Sequence, residues 1–445
     1  MTTFSAPPRY HLGFLWLVCL TAAMGGLLFG YDWVVIGGAK PFYEPYFGIQ
    51  ADPFWQGFSM SSALIGCLVG AVVSGALSDR FGRRLLLIVA AVLFTASGIC
   101  TAAAWDLVSF NMGRWVGGVG IGLASGLSPL YIAEVTPPKM RGRFVSINQL
   151  TIVVGILAAQ ILNWRIAEAV PPGASFGAIR ESWNGQWGWR WMFAAEAVPA
   201  ALFFLLMFAV PESPRWLVKA GRDDRARRVL TRVGGERYAE SALGEIRATL
   251  DREEIGQVRF RDLLEPRLLR ILGMGVLLAV FQQWCGINVI FNYAQEVFQA
   301  AGYGVSEVMF SIVITGAVNL VFTFVAIAVV DRWGRRPLML VGSGGLAALY
   351  AILGTAYFLH SQGPHMLLLV VAAIACYAMS LAPVTWVVIS EIFPNRIRGA
   401  AMSVAVFALW SACTALTFSF PFLNRTLGAH GTFWLYGAVT VNWRG

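Results

Sequence analysis

The feature that most constrains this chain is a series of apolar runs, each long enough to cross a bilayer, recurring almost from end to end. A helix needs about 20 consecutive apolar residues to span the hydrocarbon. Runs of that kind lie near 12–38, 55–78, 85–105, 107–133, 145–163, 190–210, 270–295, 306–330, 338–359, 366–390 and 400–422, with a shorter fragment at 431–441. At 57% hydrophobic and 13% charged residues, the 445-residue chain is too apolar to bury this surface in one soluble core. The fold class expected is therefore an all-α membrane protein. The first run follows Arg9 and continues through Gly-rich sequence to Asp32 without a small-residue cleavage site, so it reads as a membrane helix rather than a signal peptide.

The net charge of +9 raises the question of nucleic-acid binding, and the position of the charges answers it. Basic residues alternate by loop. Arg9, Arg80/Arg83/Arg84, Lys139/Arg141/Arg143, the 211–270 segment, Arg332/Arg335/Arg336 and Arg396/Arg398 share one side, while the opposite loops hold few, such as Lys40, Arg165, Arg180, Arg190 and Arg425. By the positive-inside rule the N-terminus and the long central loop are cytoplasmic. The basicity thus reports membrane topology, and no nucleic-acid partner is expected. Six cysteines, Cys19, Cys67, Cys100, Cys285, Cys376 and Cys413, lie within apolar runs without CxxC or metal-ligand spacing, and read as free packing residues.

The chain also repeats itself. Asp79-Arg80-Phe81-Gly82-Arg83-Arg84, between spans 2 and 3, returns as Asp331-Arg332-Trp333-Gly334-Arg335-Arg336 between spans 8 and 9, an offset of 331 − 79 = 252. Glu134 with Arg141-Gly142 returns as Glu391 with Arg398-Gly399, an offset of 391 − 134 = 257. Nearly equal offsets with like ends on one face indicate a parallel repeat of a six-helix unit. The organisation expected is an N-terminal bundle over 12–210, a cytoplasmic loop with short helices over 211–269, and a C-terminal bundle over 270–445. Span 6 centres near Ala200, so its partner should centre near 200 + 255 = 455, and span 12 is expected to be incomplete.

Five signatures then carry a family resemblance: GRR in both repeats, Pro211-Glu212-Ser213-Pro214-Arg215 after span 6, Gln282-Gln283 with Gly286-Ile287-Asn288 in span 7, and Pro383-Val384-Thr385-Trp386 in span 10. In this order and on these spans they resemble the sugar porters of the major facilitator superfamily, most of all the bacterial pentose and hexose proton symporters. The match runs from about Gly25 to Phe433; the family's closing Pro-Glu-Thr-Lys-Gly motif would fall past the last residue. The resemblance implies two six-helix bundles around a central sugar site that opens alternately to either side.

Ionisable residues inside a bilayer cost a few kcal/mol on insertion scales, which singles out Asp32 in span 1, Arg114 in span 4 and Glu196 in span 6. They read either as a structural salt bridge or as a proton site. The resemblance favours proton coupling, since passive facilitators of the family have Asn where Asp32 stands. A polyhydroxylated ring calls for amides and for flat apolar surfaces. Gln149, Gln282, Gln283, Asn288 and Asn319 supply the amides, and Trp386 and Trp410 the surfaces. A lone amide in a span is more often helix–helix glue, but all seven match sugar-contacting positions of the family. Leu409, Asn292, Ala382 and Ile156 depart from its common pattern, which leaves the choice of sugar open.

Asp79, Arg83, Glu134, Arg141, Glu212 and Arg215 in the first half, and Asp331, Arg335, Glu391 and Arg398 in the second, form a candidate cytoplasmic gate. There Arg side chains can bond helix-terminal carbonyls and pair with carboxylates. The chain lacks HExxH, GxSxG and Walker sequences, so neither an enzyme nor an ATP-driven pump is expected, and no metal or cofactor site. The function expected is import of a monosaccharide by proton symport with alternating access, by a functional monomer of the inner or plasma membrane. A facilitative uniporter and a non-transporting sugar sensor are the alternatives.

Overall fold

A computed structural model describes residues 10–255, 265–393 and 398–441. Its elements are α1 (Leu12–Phe47), α2 (Pro53–Phe81), α3 (Arg83–Ala102), α4 (Leu107–Val135), α5 (Arg141–Ile166), α6 (Phe176–Glu181), a π-helical turn (Asn184–Gly188), α7 (Trp189–Ala194), α8 (Ala197–Ala209), α9 (Pro214–Lys219), α10 (Asp223–Ile255), α11 (Pro266–Trp284), α12 (Ile287–Asn292), α13 (Ala294–Ala300), α14 (Val305–Trp333), α15 (Arg335–Phe358), α16 (Pro364–Met379), α17 (Leu381–Ile392) and α18 (Arg398–Val441). Among the described residues, eleven stretches are long and apolar enough to cross a membrane, in agreement with the runs read from sequence.

Local chemistry sets where these helices start. Pro53 opens α2 behind Asp52, whose carboxylate accepts from the Phe54 N–H at 2.9 Å. Asp106 and Ser109 form a reciprocal capping box on α4. The two GRR segments turn alike: Gly82 (φ 97°) separates α2 from α3 and Gly334 (φ 80°) separates α14 from α15, both with ψ 163°. Only glycine adopts this backbone without strain, so the sequence repeat is a structural one.

The spans are less regular than their hydropathy suggests. Span 6 begins early, at Asn184, and tightens between α7 and α8 at Ala195 and Glu196, where i→i+3 hydrogen bonds join backbone that stays helical. Span 7 breaks at Gly286 (φ 80°), where an added Cβ would run into the Tyr436 ring, and again at Tyr293. Span 10 breaks at Ser380, and α18 at Gly428 (φ 66°). Beyond Gly428, Phe433 packs on Tyr350 and Tyr357 of α15, with ring centroids 5.5 and 5.6 Å apart.

Between the halves lie α9 and α10, α10 being broken at Gly234–Gly235. Trp216, Leu217, Ala226 and Val229 give this segment its own small core. It reaches the start of α1, where the His11 N–H donates to Val233 O at 2.9 Å. Arg227 pairs with Glu236 and Glu240, and Arg247 with Asp223 at the start of α10. We call the face bearing this segment and the Arg motifs the charged face, and the opposite one the far face. The described hydrogen bonds and ion pairs between the first and second halves all lie toward the far face: Lys40 with Glu296, and Val170 with Ser306.

Candidate functional site

Two polar centres lie in the apolar interior. The first belongs to α1, α4 and the α7–α8 junction. Asp32 and Arg114 are almost fully buried and form an ion pair through Oδ1 and Nη1, while Arg114 Nη2 donates to the Asp32 carbonyl at 3.0 Å. Glu196 is completely buried within electrostatic reach of Arg114, and neither of its carboxyl oxygens has a hydrogen-bond partner. It stands at the tightened helical turn between α7 and α8. The guanidinium also sits 5.5 Å from the Phe193 ring centroid. One cation between two carboxylates leaves one acid without a counter-charge, an arrangement that is stable when a proton neutralises it. All three residues expected to couple protons are thus brought together.

The second centre is a relay of amides in the second half. Asn288 Nδ2 donates to Gln283 Oε1, Gln283 Nε2 to Gln282 Oε1 at 2.9 Å, and Gln282 Nε2 to the Tyr377 hydroxyl at 3.1 Å. The break at Gly286 makes this possible, since it folds α12 back so that Asn288 faces the end of α11. Trp410 is buried against Phe29 and Trp33 of α1, 5.7 Å from each, and thereby lies at the junction of the two halves. Asn319 is buried on α14, Trp386 is 36% exposed on α17 and Gln149 is exposed on α5. No described hydrogen bond links these three to the amide relay.

Residues that sequence reasoning did not select complete the interior. Tyr377 and Cys413 end the amide relay, and Phe29 and Trp33 extend the aromatic wall. Gln160 is 2% exposed with an unpartnered Oε1 where α5 meets α14. It gave the same signal as Gln149, an amide in an apolar run. Asn292, noted only as a departure from pattern, is buried with an unpartnered Oδ1.

On the charged face, Arg83 is 6% exposed and grips Glu134 through Nε and Nη2 at 3.0 and 3.1 Å, while Nη1 reaches Asp79 and the Ser78 carbonyl. Glu212 accepts the backbone N–H groups of Arg83, Arg84 and Ser213, capping the start of α3. Burial nevertheless raises its carboxyl above the ordinary value. Arg84, not among the expected gate residues, caps the end of α8 through the Met207 and Phe208 carbonyls. Arg215 is part-buried at the start of α9. Arg141 stands exposed at the start of α5 and has no described ion pair. In the second half Arg335 meets Glu391 at 3.0 Å; the side chains of Asp331 and Arg398 lie outside the described residues.

With this geometry in place, comparison with known proteins is decisive. A family model described as "Sugar (and other) transporter" matches residues 18–442. The chain belongs to that family. Among its curated relatives in the sugar transporter family, the arabinose-proton symporter of Bacillus subtilis is 39% identical over 97% of this chain and 90% of its own length. The D-xylose-proton symporter of Escherichia coli K12 is 38% identical over 97% and 92%. The glucose facilitated diffusion protein of Zymomonas mobilis is 34% identical over 96% and 92%. Among solved structures, the inward-open xylose transporter XylE of Escherichia coli superposes with TM-score 0.83 at 37% identity, covering 96% of this chain and 94% of that one. The form bound to 6-bromo-6-deoxy-D-glucose gives 0.80 at 38% identity, covering 97% and 95%. The major facilitator fold expected from sequence is therefore the fold of this sugar transporter.

Proposed function

We propose that this chain imports a monosaccharide together with a proton, exposing one interior site alternately to either face. The observation that carries the reading is the buried Asp32–Arg114 pair beside a fully buried, unpartnered Glu196. A surplus buried carboxylate needs a proton, and a change in the spacing of α1, α4 and α8 alters its need. The amide relay of Gln282, Gln283 and Asn288, with buried Trp410 and Asn319 and the more open Trp386 and Gln149, supplies donors, acceptors and flat faces suited to a sugar. Residues 12–210 and 270–445 act as the two moving bodies, with 211–269 on the cytoplasmic side together with the N-terminus. The arrangement is then inward-facing, with its cross-half bonds on the outer side. One chain holds a complete site, so the functional unit is a monomer in the inner or plasma membrane.

The relatives named for arabinose- and xylose-proton symport support coupling, whereas the relative named for facilitated diffusion supports uniport as a second reading. One experiment separates them. Uptake from a panel of pentoses and hexoses is measured in proteoliposomes with and without an inside-alkaline pH difference. Symport requires accumulation that follows the pH difference and vanishes in Asp32→Asn while sugar binding persists. Uptake indifferent to pH in the parent favours the uniporter, and pH-driven accumulation by Asp32→Asn removes Asp32 from coupling.

A further inference from the structure

A third charged cluster lies apart from both centres, on the far face. Lys40, near the end of α1, is 1% exposed and has two acidic partners. Glu44, one turn along the same helix and 5% exposed, lies 2.9 Å from its ammonium; Glu296 on α13 binds it from the other half of the chain. The Tyr293 ring lies 5.5 Å below the ammonium and Gln56 Nε2 on α2 faces Glu44 at 3.5 Å. The buried Tyr43 hydroxyl has no partner. Among the described residues no other ion pair reaches Glu44 or Glu296.

The two carboxylates differ in what they are attached to. Glu44 moves with Lys40 because both ride on α1, whereas Glu296 moves with the opposite half. A buried ammonium that loses its only partner incurs a desolvation penalty of several kcal/mol, which would hold the far face shut. An i,i+4 glutamate prevents that, since it stays within reach however the halves are arranged. Glu296, with a side chain 22% exposed, is the member that water can solvate as soon as the halves part.

We propose that Glu44 and Glu296 are alternate partners of Lys40 in the transport cycle: Glu296 latches the halves on the far face, and Glu44 keeps the lysine paired when the latch releases. This rests on the alternating-access reading given above. It has a consequence that a purely structural ion pair lacks, because removing either acid from the same lysine shifts the equilibrium in opposite directions. Loss of Glu296 weakens only the shut state. Loss of Glu44 leaves Lys40 bare only in the open state, and so favours the shut one.

The test reads distance rather than uptake, so it remains informative even if no sugar is carried. Spin labels are placed at the exposed positions Ala51→Cys and Ala300→Cys, with exposed Cys100 replaced by Ser, and distance distributions are recorded by pulsed electron resonance. Glu296→Gln should raise the long-distance fraction relative to the short one by roughly tenfold, and Glu44→Gln should lower it by a similar factor. If the parent is wholly shut, both are read in Gly37→Ala, whose added methyl meets the Phe291 carbonyl of the other half at 2.7 Å. In Lys40→Met the opposition of signs should disappear. Shifts of the same sign, or none from either substitution, would overturn the proposal.

Discussion

The two halves carry one charge motif and use it differently. In the first half Arg83 is buried, bonds Glu134 through two nitrogens and has Asp79 and the Ser78 carbonyl on its third. Over it lies the segment after α8: Ser213 Oγ donates to Glu134 at 2.5 Å, Trp216 Nε1 to the Asp79 carbonyl at 2.9 Å, and Lys219 pairs with Asp79 at 2.9 Å. In the second half, among the described residues, Arg335 pairs with Glu391 through one nitrogen, and the two side chains are 41% and 55% exposed. Among the described residues no segment covers that pair. A motif repeated in sequence therefore yields a dry, multiply bonded clasp in one half and a solvated contact in the other, and the covering segment makes the difference.

The largest effect that could break this comparison is at the clasp. Arg83→Gln strands Glu134 in a buried place, which costs about 3–5 kcal/mol, and should lower the thermal unfolding midpoint in detergent by far more than Arg335→Gln. Equal shifts would mean that the two motifs are equivalent after all. Next, Ser213→Ala removes a hydroxyl bonded to a carboxylate, a loss of about 1.5–3 kcal/mol. It should make Arg83 accessible to phenylglyoxal, and continued protection of Arg83 would show that the cover does not depend on this bond.

A smaller effect concerns Glu212, whose carboxyl burial raises above its ordinary value. The folded chain then binds this proton more tightly than the unfolded one, so its contribution to stability falls as pH rises from about 4.3, the ordinary value, to the higher folded one. Glu212→Gln should flatten that part of the melting profile; an unchanged slope assigns it to another group. The smallest change is expected for Arg335→Gln, under about 1 kcal/mol and reduced further by salt, as for any exposed pair. A loss comparable to that of Arg83→Gln would show the second motif to be covered as well.

The spans, the repeat and the Asp32–Arg114–Glu196 centre were legible in the sequence, because lipid permits few charged or polar residues and each exception stands out. What could not be read was pairing over distance. Lys40 looked like a stray outer charge, since its partner Glu296 is 256 residues away. Arg141 was singled out because it recurs in the repeat, yet it stands exposed with no described ion pair, whereas Arg83 of the neighbouring motif is buried and paired. The breaks at Gly286 and Ser380 were hidden as well, because hydropathy reports burial in lipid and is blind to where a helix unwinds.

The break at Gly286 also bears on time. Between it and Tyr293 lies a six-residue piece, α12, which carries Asn288 and is joined to its neighbours by non-helical backbone at both ends. A short piece hinged at both ends should turn faster than whole bundles rock, which takes microseconds to milliseconds. Two clocks are then expected, a fast one at α12 and a slow one for the halves, and stopped-flow tryptophan fluorescence should report only the second. Replacing Gly286 by alanine, which the positive φ and the Tyr436 ring oppose, should jam the fast clock and bring both events onto one trace.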